Sequence, residues 1–271
     1  NWFMMYFLSV VLIGTIYPIF LDVVTSQKIS VGPPFYHKLI VPLLIPFLLA
    51  MSIGPNLKWI KSDIKNKKTL IILFILSLVL SAFIIQSLDV KFLVNTILVG
   101  SAFYLFFISI KDFLSKNFKN NSQTLAHFGF SLLILSILFN NFFTKEIIVN
   151  LKVGETYISE NLNINFENIK QKDEKNFKSI TGKFELKYQN GKTEFLEPEL
   201  RIYNQPNIIT SEADIKTNLF RDKFMTINYV KNQDFFNVRY QEKPFMIWIW
   251  LSVILIGFSG VMSLFKIRYE N

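Results

Sequence analysis

The chain contains no cysteine, and its only histidines are His37 and His127. Without thiols it can form no disulfide, no cysteine-ligated zinc site and no thiol nucleophile, although this says little about compartment. There is no HExxH, no glycine-rich phosphate loop and no nucleophile elbow. Charged residues make up only 18% of the 271 positions, whereas 51% are hydrophobic and 29 are phenylalanine. The mean hydropathy of +0.34 is too high for an ordinary soluble domain. The abundance of Lys, Asn, Ile and Phe looks like nucleotide bias and is given no functional weight.

The apolar residues are gathered into six runs of membrane length, approximately Trp2–Leu21, Leu39–Gly54, Thr69–Leu88, Phe92–Ile110, Thr124–Phe143 and Phe245–Phe265. A bilayer core of ~30 Å needs roughly 20 such residues per helix. The expected fold class is therefore an α-helical polytopic membrane protein with about six transmembrane helices and an inserted β-rich outer-face domain. The expected domains are a five-helix bundle over 1–144, the β-rich domain over 145–243, and a final helix with a short tail over 244–271. No run looks like a secretory signal, because the apolar runs recur and no small-residue cleavage site follows the first. The first run opens at Asn1 rather than at a methionine, which suggests a fragment, a processed chain or part of a split gene.

The net charge of +9 is unevenly spread. Segment 145–243 holds 16 Lys and Arg against 15 Asp and Glu, whereas the remainder holds 13 against 5. The surplus sits in alternate loops. Loop 55–68 carries Lys58, Lys61, Lys65, Lys67 and Lys68, loop 111–123 carries Lys111, Lys116 and Lys119, and the tail carries Lys266 and Arg268. The intervening short loops hold only Lys28, Lys38 and Lys91. The positive-inside rule places the lysine-rich loops and the C-terminus in the cytoplasm or matrix, and 145–243 on the outer face. Because the charge follows the loops, no nucleic-acid partner is expected.

Proline punctuates the first two runs. Tyr17-Pro18 is expected to bend the outer end of the first helix. Pro42 should fall in the first turn of the second, Pro46 should kink it, and Gly54-Pro55 should stop it. The intervening Lys28-Ile-Ser-Val-Gly-Pro-Pro-Phe-Tyr36 reads as a stiff, non-helical interfacial segment. In the outer domain, period-two alternation marks strands at 147–153, 162–166, 184–188, 224–230 and 235–240. Asn190-Gly191 signals a hairpin, and Ser211-Glu-Ala-Asp214 could open a short helix ending near Leu219. The carboxylates of this domain look like a solvated surface, which makes it a docking domain rather than an enzyme site.

His127, in Thr-Leu-Ala-His-Phe-Gly-Phe, is the candidate site residue. It stands about one turn inside a membrane-length run, where an ionisable group is costly and needs a partner. By position alone it could be an interfacial histidine, a ligand for haem iron or a member of a proton relay. A bis-histidine site would take its other half from upstream residues or another subunit, because His37 is expected in the outer loop.

Five ordered stretches together carry a resemblance. They are Gly14-Thr-Ile-Tyr-Pro-Ile-Phe-Leu21 with Lys28-Ile-Ser-Val-Gly-Pro-Pro-Phe35; Gly54-Pro55 with Leu-Lys-Trp59; Leu125-Ala-His-Phe-Gly-Phe130; Glu199-Leu-Arg-Ile-Tyr203 with Leu219-Phe-Arg-Asp222; and Tyr240-Gln-Glu-Lys-Pro-Phe-Met-Ile-Trp-Ile-Trp250. In this order they resemble the C-terminal half of the CcmF family, the haem lyase subunits of cytochrome c maturation. The resemblance implies a part in attaching haem to CxxCH motifs of apocytochrome c. It implies a transmembrane b-type haem with His127 as one axial ligand to the iron, its partner histidine lying upstream, and that haem supplying reducing electrons, with quinol as their source. It implies no catalytic residue within this chain. The implied partners are haem-loaded CcmE, CcmH- or CcmI-type subunits, apocytochrome c and the lipid bilayer. The implied location is the bacterial inner membrane with 145–243 periplasmic, or the mitochondrial inner membrane. His37 matches no family ligand. The competing reading is a transporter or permease subunit with an outer gating domain, which the proline-broken helices would suit.

Overall fold

The computed structural model describes residues 1–25, 28–57, 67–88, 90–114, 121–230 and 233–269. Among these residues there are six α-helices: α1 (Trp2–Thr25), α2 (Pro33–Ile53), α3 (Lys67–Gln86), α4 (Phe92–Leu114), α5 (Asn121–Phe143) and α6 (Met246–Tyr269). All six are long and apolar enough to cross a membrane. The chain divides into two compact units, Asn1–Leu135 with Leu251–Asn271, and Ser136–Trp250.

In the first unit, large apolar side chains point outward, Phe83 being 76% exposed and Val23 80%. Lipid in place of water explains that inversion. Serines fill the close approaches. Ser52 and Ser109 return their hydroxyl protons to backbone carbonyls of their own helices, which satisfies the polar group without an external partner. Ser81 lies within hydrogen-bond distance of both its own Leu78 carbonyl and the Thr96 carbonyl of α4, 2.9 Å each, and so ties α3 to α4.

The prolines at the start of the second helix act differently from the sequence expectation. Segment 28–36 is not wholly irregular: α2 begins at Pro33 with Gly32 as its N-cap, and Pro33 and Pro34 occupy the first two helical positions. Proline's missing N–H costs nothing there, and its fixed φ suits a helix start. Pro42 consequently lies nine residues beyond the start of α2 rather than in its first turn, and His37 is an exposed residue of α2 rather than a loop residue. Helix α1 continues past Pro18 to Thr25. A 3-10 turn at Gly54–Asn56 ends α2, as expected. Residues 58–66 and 115–120, which hold most of the loop lysines used for orientation, lie outside the described residues.

The second unit is a β-sandwich between the end of α5 and the start of α6. Its ten strands are β1 (Lys145–Leu151), β2 (Thr156–Ile158), β3 (Leu162–Asp173), β4 (Phe177–Tyr188), β5 (Thr193–Leu196), β6 (Glu199–Tyr203), β7 (Ile209–Glu212), β8 (Asp214–Thr217), β9 (Arg221–Tyr229) and β10 (Phe236–Pro244). One sheet runs β1-β10-β9-β8. The other runs β2-β3-β4-β6-β7, with β5 also on β4, and every pairing is antiparallel. Alternate residues Leu162, Ile164 and Phe166 of β3 and Phe184 and Leu186 of β4 enter the core with Met225, Ile227, Val238 and Tyr240 of the opposite sheet. The Phe166 and Phe184 rings stack at 4.2 Å. The Asn190-Gly191 turn joins β4 to β5, with Gly191 at φ +77°, where a side chain would be strained.

The short helix expected from Ser211 to Leu219 does not form. Ile209–Glu212 pairs with β6 and Asp214–Thr217 pairs with β9. The local capping signal is overridden by two ladders, each satisfying the backbone at long range.

Candidate functional site

His127 lies six residues into α5, ~9 Å along its axis. Its neighbours in sequence fix its direction. Gly129 abuts α6: a Cβ there would lie 2.9 Å from Ile256 Cγ1, 3.2 Å from the Ser252 carbonyl oxygen and 3.3 Å from the Ile256 nitrogen. Phe128 stacks on Phe106 of α4 at 5.5 Å, and Phe130 meets Phe47 of α2 edge-on at 5.9 Å. With a rotation of about 100° per residue, His127 stands about 160° from Gly129, on the face between Phe128 and Phe130. The imidazole is thus turned away from α6 and toward the α2 and α4 side, and it is half-buried.

Asp112, in the last turn of α4, is near enough for its charge to act on His127. It also pairs with Lys111 at 3.8 Å. Because α4 runs to Leu114 and α5 starts at Asn121, the acid and the histidine stand at the same end of consecutive helices. Asp112 was not singled out from the sequence, where it fell in the loop after the fourth run. The available signal was its spacing, fifteen residues before His127 across a short connection.

No hydrogen bond joins either imidazole nitrogen of His127 to another described residue, and no cluster of three or more His, Cys, Asp or Glu is found among them. A half-buried imidazole of this kind has the chemistry of one ligand to a metal ion such as haem iron. His37, exposed in the second turn of α2, is not brought to His127.

The sandwich carries a second polar concentration, which the sequence did not reveal. A cleft of about 600 Å³ opens at the end where β1 begins and β10 finishes. The buried Tyr240 hydroxyl donates to Glu242 at 2.8 Å and lies 3.2 Å from the Tyr188 hydroxyl. Burial, reinforced by Tyr188 and Glu242, pushes the Tyr240 phenol far above its usual range, so it remains a neutral donor. Lys223, only 7% exposed, donates to Glu194 at 2.6 Å with its ammonium 4.3 Å over the Tyr188 ring. These residues come from β4, β5, β9 and β10, and only the folded sandwich assembles them.

Residues 142–244 match the family model for the CcmF C-terminal β-sandwich. The similarity to CcmF proteins extends along almost the whole chain. Beyond the sandwich, the chain is 27% identical over 272 residues to the cytochrome c-type biogenesis protein CcmF of Escherichia coli, covering 97% of this chain and 42% of that protein. Its identity to the CcmF of Pseudomonas aeruginosa is 24% over 282 residues, with the same coverages. A solved structure of the cytochrome c haem lyase CcmF superposes with a TM-score of 0.72 at 19% identity, covering 96% of this chain and 44% of that one. The fold is therefore the CcmF fold, in its helices as well as its sandwich. The chain spans less than half the length of the CcmF proteins it matches and corresponds to their C-terminal part.

Proposed function

We propose that this chain is the C-terminal part of a haem lyase subunit acting in cytochrome c biogenesis at a bacterial inner membrane, with His127 as one axial ligand of a transmembrane b-type haem. The observation that carries the ligand assignment is the uncommitted, half-buried imidazole, turned toward α2 and α4 and flanked by Phe128 and Phe130. Similarity supports the biogenesis role, since the relatives matched over almost the whole chain are cytochrome c-type biogenesis proteins.

In this reading His127 offers one nitrogen to iron, and the negative charge of Asp112 steadies the imidazole from the α4 side. The close seat of Gly129 on α6 sets the rotation of α5 and hence the direction of the imidazole. When bound, a b-type haem supplies the one-electron chemistry that keeps the substrate haem ferrous. The second axial ligand comes from residues outside this chain. Haem-loaded CcmE, CcmH- or CcmI-type subunits and apocytochrome c are the partners, and the sandwich is their docking surface on the periplasmic side.

The test uses the intact protein, including the part that precedes this chain. His127→Ala should abolish the b-type absorption bands in purified membranes while the protein still accumulates. Retention of those bands at parental intensity would sink the ligand assignment.

A further inference from the structure

The turn from β8 to β9, Asn218–Arg221, shows two adjacent large apolar side chains: Leu219 is 62% exposed and Phe220 65%. The turn itself is tightly built. The Asn218 side-chain oxygen accepts from the backbone N–H groups of Phe220, at 3.0 Å, and Arg221, at 2.9 Å. Exposure here is thus a fixed feature of the fold and not a fraying end.

Its depth is fixed as well. The Leu219 carbonyl accepts from the Trp248 indole at 2.8 Å, and the Phe220 carbonyl accepts from the Phe245 backbone N–H at 2.8 Å. Phe245 precedes, and Trp248 belongs to, the first turn of α6, whose membrane-length stretch starts at Met246. Phe245 adopts φ +60°, a conformation that costs a bulky residue energy. It is held there by the bond to Phe220 and by the ring of Phe139 at 5.6 Å. The turn therefore sits level with the start of a membrane span, where aromatic side chains meet the headgroup–acyl boundary.

A cavity of about 540 Å³ adjoins the turn. Phe143, Phe220 and Phe245 form its apolar part, and Lys145 and Arg221 its cationic part. Glu242 pairs with Arg221 at 2.9 Å, whereas Lys145 has no ion pair among the described residues. One carboxylate against two cations leaves a positive surplus beside an apolar slot at membrane depth, which suits an amphiphile with an anionic head.

We propose that the Leu219–Phe220 turn is a lipid-docking wedge. Its side chains enter the acyl region of the leaflet on the sandwich side, while Lys145 and Arg221 hold the phosphate of an anionic phospholipid. A chain without cysteine makes the test clean. Single cysteines at Phe220 or Leu219 are labelled with an environment-sensitive fluorophore. Lys175→Cys, in the exposed β3–β4 turn at the far end of the sandwich, is the control. The full chain is reconstituted into vesicles of phosphatidylcholine, alone or mixed with phosphatidylglycerol, with acyl chains brominated near the glycerol. Emission from 219 and 220 should be quenched roughly two-fold or more, with none at 175. Quenching should be stronger with phosphatidylglycerol and lose that preference in Lys145→Glu. Equal signals at 219, 220 and 175 would show the turn in water or under a protein partner and overturn the insertion. A lipid preference unchanged by Lys145→Glu would overturn the phosphate assignment. The two label sites guard against one variant failing to fold.

Discussion

Replacing Lys223 with methionine tests whether the buried charge pair of the sandwich stabilises it. The ammonium lies 2.6 Å from Glu194 Oε2 and 4.3 Å above the Tyr188 ring, in a residue only 7% exposed. Stripping one partner from a buried pair costs roughly 3–5 kcal/mol, because the other charge is left uncompensated. Here Glu194 keeps Lys192 at 2.6 Å, though from a side chain 63% exposed. The lost contact over Tyr188 adds about 0.5–1 kcal/mol, and methionine restores most of the packing volume. The net expectation is a loss of about 2 kcal/mol for Lys223→Met, below the buried-pair range because Lys192 still partly compensates Glu194. The double change Lys223→Met with Glu194→Gln should recover to within about 1 kcal/mol of the parent, since it leaves no orphaned charge. The assay is denaturant unfolding of the detergent-solubilised chain, read by hydrogen exchange of the β9 amides. The pH dependence follows from the pair. Burial alone would raise Glu194, but hydrogen bonds from Lys192 and Lys223 hold it below its ordinary value of 4.5. Burial would lower Lys223, but Glu194 and Tyr188 hold it above its ordinary 10.5. The carboxylate's share of stability is therefore present above about pH 4.5 and lost as pH falls through its lower folded value. The ammonium's share is present below about pH 10.5 and lost as pH rises through its higher folded value. The cost of Lys223→Met should be flat between those limits and shrink in acid. A cost below about 0.5 kcal/mol at pH 7, or a double variant no more stable than the single one, would refute the reasoning.

Asp222 should behave in the opposite sense. Burial raises its pKa, only partly offset by Thr217, and its Oδ1 has no hydrogen-bond partner among the described residues. Its charge therefore opposes folding above its folded pKa, so Asp222→Asn should gain about 1 kcal/mol at pH 7 in the same unfolding assay, with the gain vanishing below about pH 4. Gly129→Leu should force α5 away from α6, because two of the three atoms nearest a Cβ there are α6 backbone. After the helix-propensity gain, a loss of about 1–2 kcal/mol is expected in a thermal unfolding scan, and Gly129→Ala should cost less.

The helices were legible because membrane-length apolar runs need no tertiary information. The β4–β5 hairpin was legible because Asn-Gly needs only its own turn. What failed did so for non-local reasons. Ser211–Leu219 carries a helix-opening signal, but its backbone is taken by β6 on one side and β9 on the other. Pro33-Pro34 reads as a loop until the following turn of helix shows them to be a start. His127 stood out as the rare ionisable group in an apolar run. Asp112 did not, since its part depends on where α4 ends. The polar cluster drawn from β4, β5, β9 and β10 had no contiguous signature.

The sandwich begins at Lys145 and ends at Pro244 on adjacent strands, with Lys145 opposite Glu242 and the Asn140 side chain donating to the Pro244 carbonyl at 2.6 Å. The chain thus leaves α5 and returns to α6 at nearly the same point, as though a short turn had been opened to admit a hundred residues. The entropy of closing so long a loop grows only logarithmically with its length, and here the β1–β10 ladder closes it. The ladder is thus the clasp of the domain, fixing its first and last strands side by side where the chain enters and leaves it.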